Sequence, residues 1–90
     1  MGAIRRAALA RQQLILYGTS GCSLCEVALE MAQAEAQRAG VTLVEVDIAA
    51  DDDLLNAYGT RIPVARRSDR RGDLDWPFDR HALRLLLQDD

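Results

Sequence analysis

The sequence predicts one α/β domain with the element order βαβαββα. Ninety residues, 49% of them hydrophobic, suffice for a single compact core but not for two. Two segments of β-type composition flank one long helical segment, which is the arrangement of parallel strands joined by a right-handed crossover. A short helix, a pair of strands and a final helix follow, so strands and helices mix within a single fold.

The first two elements are an apolar strand and a long helix. Residues 13–17, QLILY, have the composition of a strand buried on both faces, and Gly18 ends it. Residues 22–39 are rich in Ala, Leu, Glu, Gln and Met, and Gly40 is placed to cap their C-terminal end. Helical spacing predicts an apolar face made of Leu24, Val27, Ala28 and Met31. The same spacing predicts that four polar residues face outward: Glu26, Glu30, Gln33 and Gln37.

The next elements are a strand, a short helix and a strand pair. Residues 41–48, VTLVEVDI, are β-branched and partly alternating, as in a second strand. Residues 51–59 predict a short helix with an aspartate at the N-cap and Gly59 at its end. Residues 62–67, IPVARR, and 72–76, GDLDW, predict the third and fourth strands, joined by a polar hairpin.

The last helix has a clear beginning. Pro77 ends the fourth strand, and Asp79 is a good N-cap for the segment RHALRLLLQ. Phe78 precedes the cap, where it is expected to pack on Leu83 as a hydrophobic staple. Three leucines share the buried face of this helix: Leu83, Leu86 and Leu87.

Charge and composition argue against a nucleic-acid partner. The net charge is −3, from 14 acidic residues and 11 basic residues, all arginine. Arginines cluster at residues 65–71, ARRSDRR, but Asp69, Asp73 and Asp75 lie among and just after them. One Trp, two Tyr and one Phe provide no series of rings on which bases could stack. We interpret the cluster as a solvated hairpin tip rather than a phosphate or partner contact.

The N-terminal residues 1–12 are predicted to be a weakly ordered arm ahead of a domain at residues 13–88. Their longest apolar run, AALA, is too short for a signal peptide, and no segment of the chain has the length of a membrane span. We expect a cytoplasmic monomer. In that reducing compartment a permanent disulfide is disfavoured, and a pair of thiols is more typical of catalysis or metal binding.

The only two cysteines, Cys22 and Cys25, stand where the first strand gives way to the long helix. Residues three apart on a helix have Cβ atoms about 5 to 6 Å apart, so a small adjustment brings their sulfurs into bonding range. The helix N-terminus stabilises a thiolate most strongly at Cys22, which predicts Cys22 as the nucleophile and Cys25 as the resolving thiol. Ser23 and Leu24 occupy the exposed bend between the sulfurs.

Other interpretations of the cysteine pair remain open at this point. The thiols could be inert neighbours in an interaction domain, or they could hold a metal or an iron–sulfur cluster. A zinc site needs four ligands, and beyond the cysteines this chain offers only His81, so such a site would be shared across a dimer. We interpret His81 as a helix-surface residue instead. The acidic triplet at residues 51–53 is expected to cap a helix rather than to bind a cation.

Three segments together resemble the glutaredoxin-like proteins of the thioredoxin superfamily. They are YGTSGCSLC at residues 17–25, YGTRIPV at residues 58–64 and LDWPFDRHAL at residues 74–83. The likeness runs from about Leu14 to Leu87. It implies a thioredoxin-like fold of the glutaredoxin type: a four-stranded mixed sheet in the order 2-1-3-4, flanked by three helices. It also implies thiol–disulfide exchange and places the CxxC motif beside a proline loop.

The resemblance further implies that Pro63 follows a cis bond and that the backbone of Ile62 pairs with the substrate. Thr60 and Arg61 would contribute to the rim of the substrate site. The chain departs from glutathione-using members, because it lacks their basic residue near the first cysteine and their Gly-Gly turn, and only Asp79 matches as a candidate glutathione contact. We therefore expect no bound cofactor and a protein or small-molecule disulfide as substrate. Glutathione is a candidate co-substrate, and a thiol or flavoprotein reductase system would recycle the dithiol.

Overall fold

The structure is a computed structural model that describes residues 12–88. The arm predicted at residues 1–12 lies, apart from Gln12, outside the described residues. The elements are β1 (Gln13–Gly18), α1 (Ser23–Ala39), β2 (Thr42–Asp47), α2 (Asp52–Tyr58), β3 (Val64–Arg67), β4 (Leu74–Asp75) and α3 (Arg80–Leu86), with a 3₁₀ turn at Ile48–Ala50. In this part of the chain, no helix is long and apolar enough to cross a membrane.

The four strands form one mixed sheet in the order β2-β1-β3-β4. β1 pairs in parallel with β2, and Gly18 at its end lies beside Asp47. β3 runs antiparallel to β1, with Tyr17 opposite Val64, and β4 runs antiparallel to β3. The predicted thioredoxin-like fold, with its strand order 2-1-3-4 and three helices, is therefore confirmed.

The fourth strand is shorter than the sequence predicts. It comprises only Leu74–Asp75, whereas the pattern suggested residues 72–76. Gly72 takes a positive φ of 104°, which is outside the strand region, and Pro77 lacks the N–H needed to continue the ladder. The Trp76–Pro77 bond is cis, as is the Ile62–Pro63 bond.

Two packed clusters lie on opposite faces of the sheet. The larger contains Leu14, Leu16, Ala28, Ala32, Ala36, Ala65, Phe78, Leu83 and Leu87. The smaller contains Tyr17, Ile48, Tyr58 and Val64. Neighbours along a strand point to opposite faces, so Leu16 faces α1 and α3 while Tyr17 faces α2. Phe78 and Leu83 belong to the same cluster, as expected for the predicted staple.

The long helix packs with a different face from the one predicted. Its buried residues are Cys25, Ala28, Ala32, Glu35 and Ala36. Val27 is 48% exposed, so its assignment to the buried face is wrong, whereas Ala28 is fully buried. Leu24, also 48% exposed, is predicted both on that face and in the exposed bend between the cysteines, and only the second prediction is correct. Small alanine side chains allow the helix to approach the sheet closely, and this rotation turns Cys25 inward.

A buried carboxylate joins α1 to α3. Glu35 is 1% exposed, and its oxygens accept hydrogen bonds from Arg80 Nε at 2.7 Å and Arg84 Nε at 3.0 Å. Hydrogen bonds from Arg84 and Arg80 lower the pKa of Glu35 from 4.5 to about 2. The hydrophobic pattern of the helix does not reveal this residue, because its partners lie in a distant element.

The arginine cluster is only partly a solvated hairpin tip. Arg67 is 2% exposed, which corrects the interpretation of residues 65–71. Its guanidinium donates to both carboxylate oxygens of Asp69 at 2.8 Å and to the carbonyls of Leu86 and Gln88 at 3.3 Å. Strand alternation places Arg67 on the same face as Ala65, where the end of α3 supplies the carbonyls. The pairing with Arg67 lowers the pKa of Asp69.

Candidate active site

The two cysteines form a disulfide at the start of α1. Cys22 is the N-cap, with extended backbone angles, and α1 proper begins at Ser23. The Sγ of Cys22 accepts a hydrogen bond from the backbone N–H of Cys25 at 3.1 Å. The predicted proximity is confirmed, because the two Cα atoms are 5.2 Å apart within one helical turn.

The two sulfurs differ in access. Cys25 is 8% exposed and faces the sheet, whereas Cys22 is half-buried at the cap. Ser23 and Leu24 between them are exposed, as predicted for the bend. An incoming disulfide therefore reaches Cys22 more easily than Cys25, and Cys22 lies at the positive end of the helix dipole.

Gly18 is a site residue that the sequence did not single out beyond its role in ending β1. A Cβ atom built on Gly18 would lie 3.2 Å from the Sγ of Cys25 and 3.3 Å from its Cβ. Glycine thus lets the inner cysteine pack directly against the end of β1. The available signal was a glycine at the strand end, four residues ahead of the first cysteine.

Residues 60–63, here called the proline loop, lie at the same end of the sheet as the cysteine turn. Val64 pairs with Tyr17, so Pro63, one residue earlier, lies near the carboxyl end of β1. Pro63 is fully buried, Ile62 is half-buried and Thr60 is exposed. The Ile62–Pro63 bond is cis, as the resemblance implies.

A pair of stacked aromatic rings connects the start of the proline loop to β1. The rings of Tyr17 and Tyr58 stack with centroids 4.3 Å apart and an interplanar angle of 15°. Both side chains are buried, and burial raises the pKa of Tyr17. Tyr58 also accepts backbone hydrogen bonds from the N–H groups of Arg61 and Ile62. The start of the loop is thereby attached to β1 through the stacked rings.

The remaining predicted site residues have defined places. Arg61 turns its side chain toward the β3–β4 hairpin, where it pairs with Asp73 and Asp75. Asp79 caps α3 by accepting a hydrogen bond from Ala82 N at 2.8 Å, as predicted. His81 is exposed on α3, which agrees with its interpretation as a surface residue.

An open cleft of about 380 Å³ adjoins the inner cysteine. It is lined by Leu16, Gly18, Thr19, Ser20, Cys25, Glu26, Leu29, Glu45, Val46 and Asp47. Its three carboxylates come from α1 and from the end of β2. Within residues 12–88, neither Glu26 nor Glu45 makes an ion pair, and Asp47 caps the following turn through Ala49 N at 2.9 Å. The cleft is therefore electronegative, which sequence order could not show because β2 is brought beside β1 only by the fold.

Metal ligands do not come together in the described chain. Among residues 12–88, no group of three His, Cys, Asp or Glu side chains is placed to hold a metal ion. Asp51 caps α2 instead, accepting hydrogen bonds from Asp53 N at 2.8 Å and Leu54 N at 3.2 Å. The predicted capping role of the acidic triplet is confirmed for Asp51.

Comparisons with known proteins agree with the geometry. The sequence profile of the glutaredoxin-like domain matches residues 13–88. The X-ray structure of target protein XcR50 from X. campestris is 43% identical, with a TM-score of 0.69 over 82% of this chain and 93% of that chain. A protein from Nitrosomonas europaea is 23% identical, with a TM-score of 0.68 over 80% of this chain and 86% of that chain. A search of curated proteins gave no significant match.

The fold is also that of a thioredoxin. A mutant thioredoxin from Halobacterium salinarum superposes with a TM-score of 0.71, covering 97% of this chain and 81% of that chain. Its sequence identity is 16%, so this likeness concerns the fold alone.

Proposed function

The chain belongs to the glutaredoxin-like domain family, and on that basis we propose that it is a thiol–disulfide oxidoreductase. The observation that carries the proposal is the disulfide between Cys22 and Cys25 at the N-cap of α1. A bond between residues one helical turn apart can open and close without unfolding the domain, as a redox cycle requires.

The exchange runs in two steps from the reduced protein. The thiolate of Cys22 attacks one sulfur of a substrate disulfide, and the other substrate sulfur leaves as a thiolate that takes up a proton. Cys25 then loses its proton and attacks the Cys22 sulfur of the mixed disulfide, releasing the second substrate thiol. The substrate gains two electrons and two protons, and the protein is left with the Cys22–Cys25 disulfide.

The helix start favours the thiolate on Cys22. The N–H of Cys25 already donates to Cys22 Sγ, and this bond strengthens when the sulfur carries a negative charge. Within residues 12–88, no lysine or arginine is hydrogen-bonded to the sulfurs, so the activation comes from backbone groups. We expect Cys22 in the reduced protein to be activated, but not to an extreme degree.

The substrate contacts follow from the exposed groups around Cys22. The backbone of Ile62 would pair with an extended substrate segment beside Pro63, as in strand addition. Ser23, Leu24 and Thr60 are exposed around this position and would contact its side chains. We therefore propose a protein disulfide, or a small-molecule disulfide, as the substrate.

Glutathione is the less favoured co-substrate in this proposal. It is anionic, and the carboxylates of Glu26, Glu45 and Asp47 around the cleft repel anions. Asp79 remains the candidate contact for its amino group. A thiol or flavoprotein reductase in a reducing compartment such as the cytoplasm would regenerate the dithiol, and no bound cofactor takes part.

Cysteine variants test the proposal directly. Cys22→Ser should abolish the reduction of insulin disulfides by dithiothreitol-regenerated protein, while Cys25→Ser should accumulate a mixed disulfide on Cys22 that mass spectrometry detects. Equal alkylation rates for the two thiols of the reduced protein at neutral pH would contradict the assigned roles. Visible absorbance that disappears with Cys22→Ser, in protein purified without oxygen, would point to a metal cluster instead.

A further inference from the structure

Arg61 links the proline loop to the β3–β4 hairpin. Its Nη2 donates to Asp75 Oδ1 at 2.7 Å and to Asp73 Oδ2 at 2.9 Å, and its Nε donates to Asp75 Oδ2 at 3.3 Å. Asp75 is the β4 partner of Val64, the residue that follows Pro63. The guanidinium is thus fixed to the strand that borders the far end of the loop.

The same side chain also holds the near end of the loop. Its Nη1 donates to the carbonyl of Ala57 at 3.4 Å, and its Cζ lies 5.1 Å from the ring centroid of Tyr58. The backbone N–H groups of Arg61 and Ile62 both donate to the Tyr58 carbonyl, at 2.8 and 3.1 Å. One residue therefore connects the end of α2 to β4 across the proline loop.

We propose that Arg61 is a positioning residue, which fixes the backbone of Ile62 beside Pro63 for pairing with the substrate and does not itself bind substrate. All three of its guanidinium nitrogens already have acceptors within the protein. A substrate carboxylate would have to displace Asp73 or Asp75 to reach it, and these acidic residues would repel it. The inference rests on the proposed function, because the exact place of Ile62 matters only if a substrate pairs there.

The test compares a substrate that needs the loop with one that does not. Insulin presents an extended chain, whereas hydroxyethyl disulfide is small enough to react at Cys22 alone. Arg61→Met should raise the KM for insulin by about tenfold, because a loop that samples misaligned positions binds the chain less often. Asp75→Asn should raise it by less, because Asp73 and the Ala57 carbonyl still hold the guanidinium. The double variant should be no worse than Arg61→Met alone, because both substitutions act on the same link. Rates with hydroxyethyl disulfide should change less than twofold.

Two comparisons separate positioning from direct charge recognition. Arg61→Lys keeps the positive charge but cannot form the forked contacts, so it should behave like Arg61→Met. Arg71→Met, which removes an exposed arginine from the same hairpin, should match wild type. Recovery of the wild-type KM by Arg61→Lys, or a double variant with a higher KM than Arg61→Met alone, would overturn the positioning role.

Amide hydrogen exchange tests the positioning role of Arg61 without any measurement of activity. In Arg61→Met the Ile62 N–H should exchange about tenfold faster than in wild type, because the loop loses its attachment to β4 and its hydrogen bond to the Tyr58 carbonyl opens more often. Unchanged protection of Ile62 would overturn the inference. Wild-type protein that reduces neither disulfide would overturn the proposed function, and the exchange measurement would still decide whether Arg61 fixes the loop.

Discussion

The carboxylates beside the cysteines and the carboxylate at the contact between α1 and α3 lie in opposite environments. Around the cleft beside Cys25, Glu26 and Glu45 are exposed and make no ion pair with any residue from 12 to 88. At the helix contact, Glu35 is 1% exposed and held by two arginines. A buried charge persists only when it is paired, whereas an exposed carboxylate stays hydrated and remains available to whatever enters the cleft. The described residues therefore include a buried carboxylate that is paired at one end and exposed carboxylates without ion pairs at the other.

Removing the buried arginine should have the largest effect on stability. Arg67→Met leaves the carbonyls of Leu86 and Gln88 without this donor, and the free energy of unfolding should fall by about 3 kcal/mol. Urea denaturation measures the change. The matched variant Arg71→Met removes an exposed arginine from the same hairpin and should change stability by less than about 0.5 kcal/mol. Similar losses in the two variants would contradict the contrast between buried and exposed charges.

The Glu35 carboxylate should make stability depend on acid pH. Its pKa is about 2 in the folded protein against an ordinary value of 4.5, so its stabilising contribution is complete above pH 4.5 and is lost as the pH falls toward 2. Glu35→Gln should therefore have a lower Tm at neutral pH, by about 5 to 10 °C, and the gap to wild type should narrow below pH 4.5. A gap of constant size from pH 7 to 2 would contradict this account. Glu30→Gln, at an exposed position of the same helix, is the control.

A methyl group at the strand end should disturb the inner cysteine. Gly18→Ala places its Cβ 3.2 Å from Cys25 Sγ, so the Cys25 side chain must move by a few tenths of an ångström. We expect the oxidised protein to lose about 1 kcal/mol of stability and the second exchange step to slow, so that the mixed disulfide persists longer. Thermal unfolding and rapid-quench mass spectrometry measure the two effects. Unchanged values for both would show that the close contact is not needed.

The smallest expected effect is on the rate of disulfide reduction when an exposed carboxylate of the cleft is removed. Glu45→Gln should raise the rate with glutathione disulfide by about twofold at low salt, because one repelling charge is removed and such surface effects are weak. The rate with cystamine, a cationic disulfide, should fall, and both changes should shrink at high salt. Glu30→Gln lies outside the cleft and provides the comparison. Equal changes for the two disulfides would mean that charge at the cleft does not select the substrate.

Local signals in the sequence were sufficient for the order of elements and for the cysteine pair. Helix caps at Asp51 and Asp79 and the spacing of Cys22 and Cys25 depend on groups within a few residues, so the sequence displays them directly. The strand order followed from the family resemblance rather than from any single pattern.

Long-range contacts explain what the sequence did not show. The partners of Glu35 lie 45 and 49 residues further along the chain, and the partners of Arg67 include carbonyls 19 and 21 residues away. The buried face of α1 was misassigned because apolar residues alone do not fix the rotation of a helix. Alanines facing the sheet set that rotation and left Val27 in solvent.

The two outer strands bear on how the protein behaves at high concentration. An outer strand with free backbone groups invites pairing with another copy and, in the end, aggregation. β4 offers only Leu74–Asp75 before Pro77, too little for a stable ladder. β2 is longer, but it carries Glu45 and Asp47 on its exposed positions, and like charges would meet if two copies joined along it. The outer strands of the sheet therefore offer another copy of the chain little backbone on which to pair.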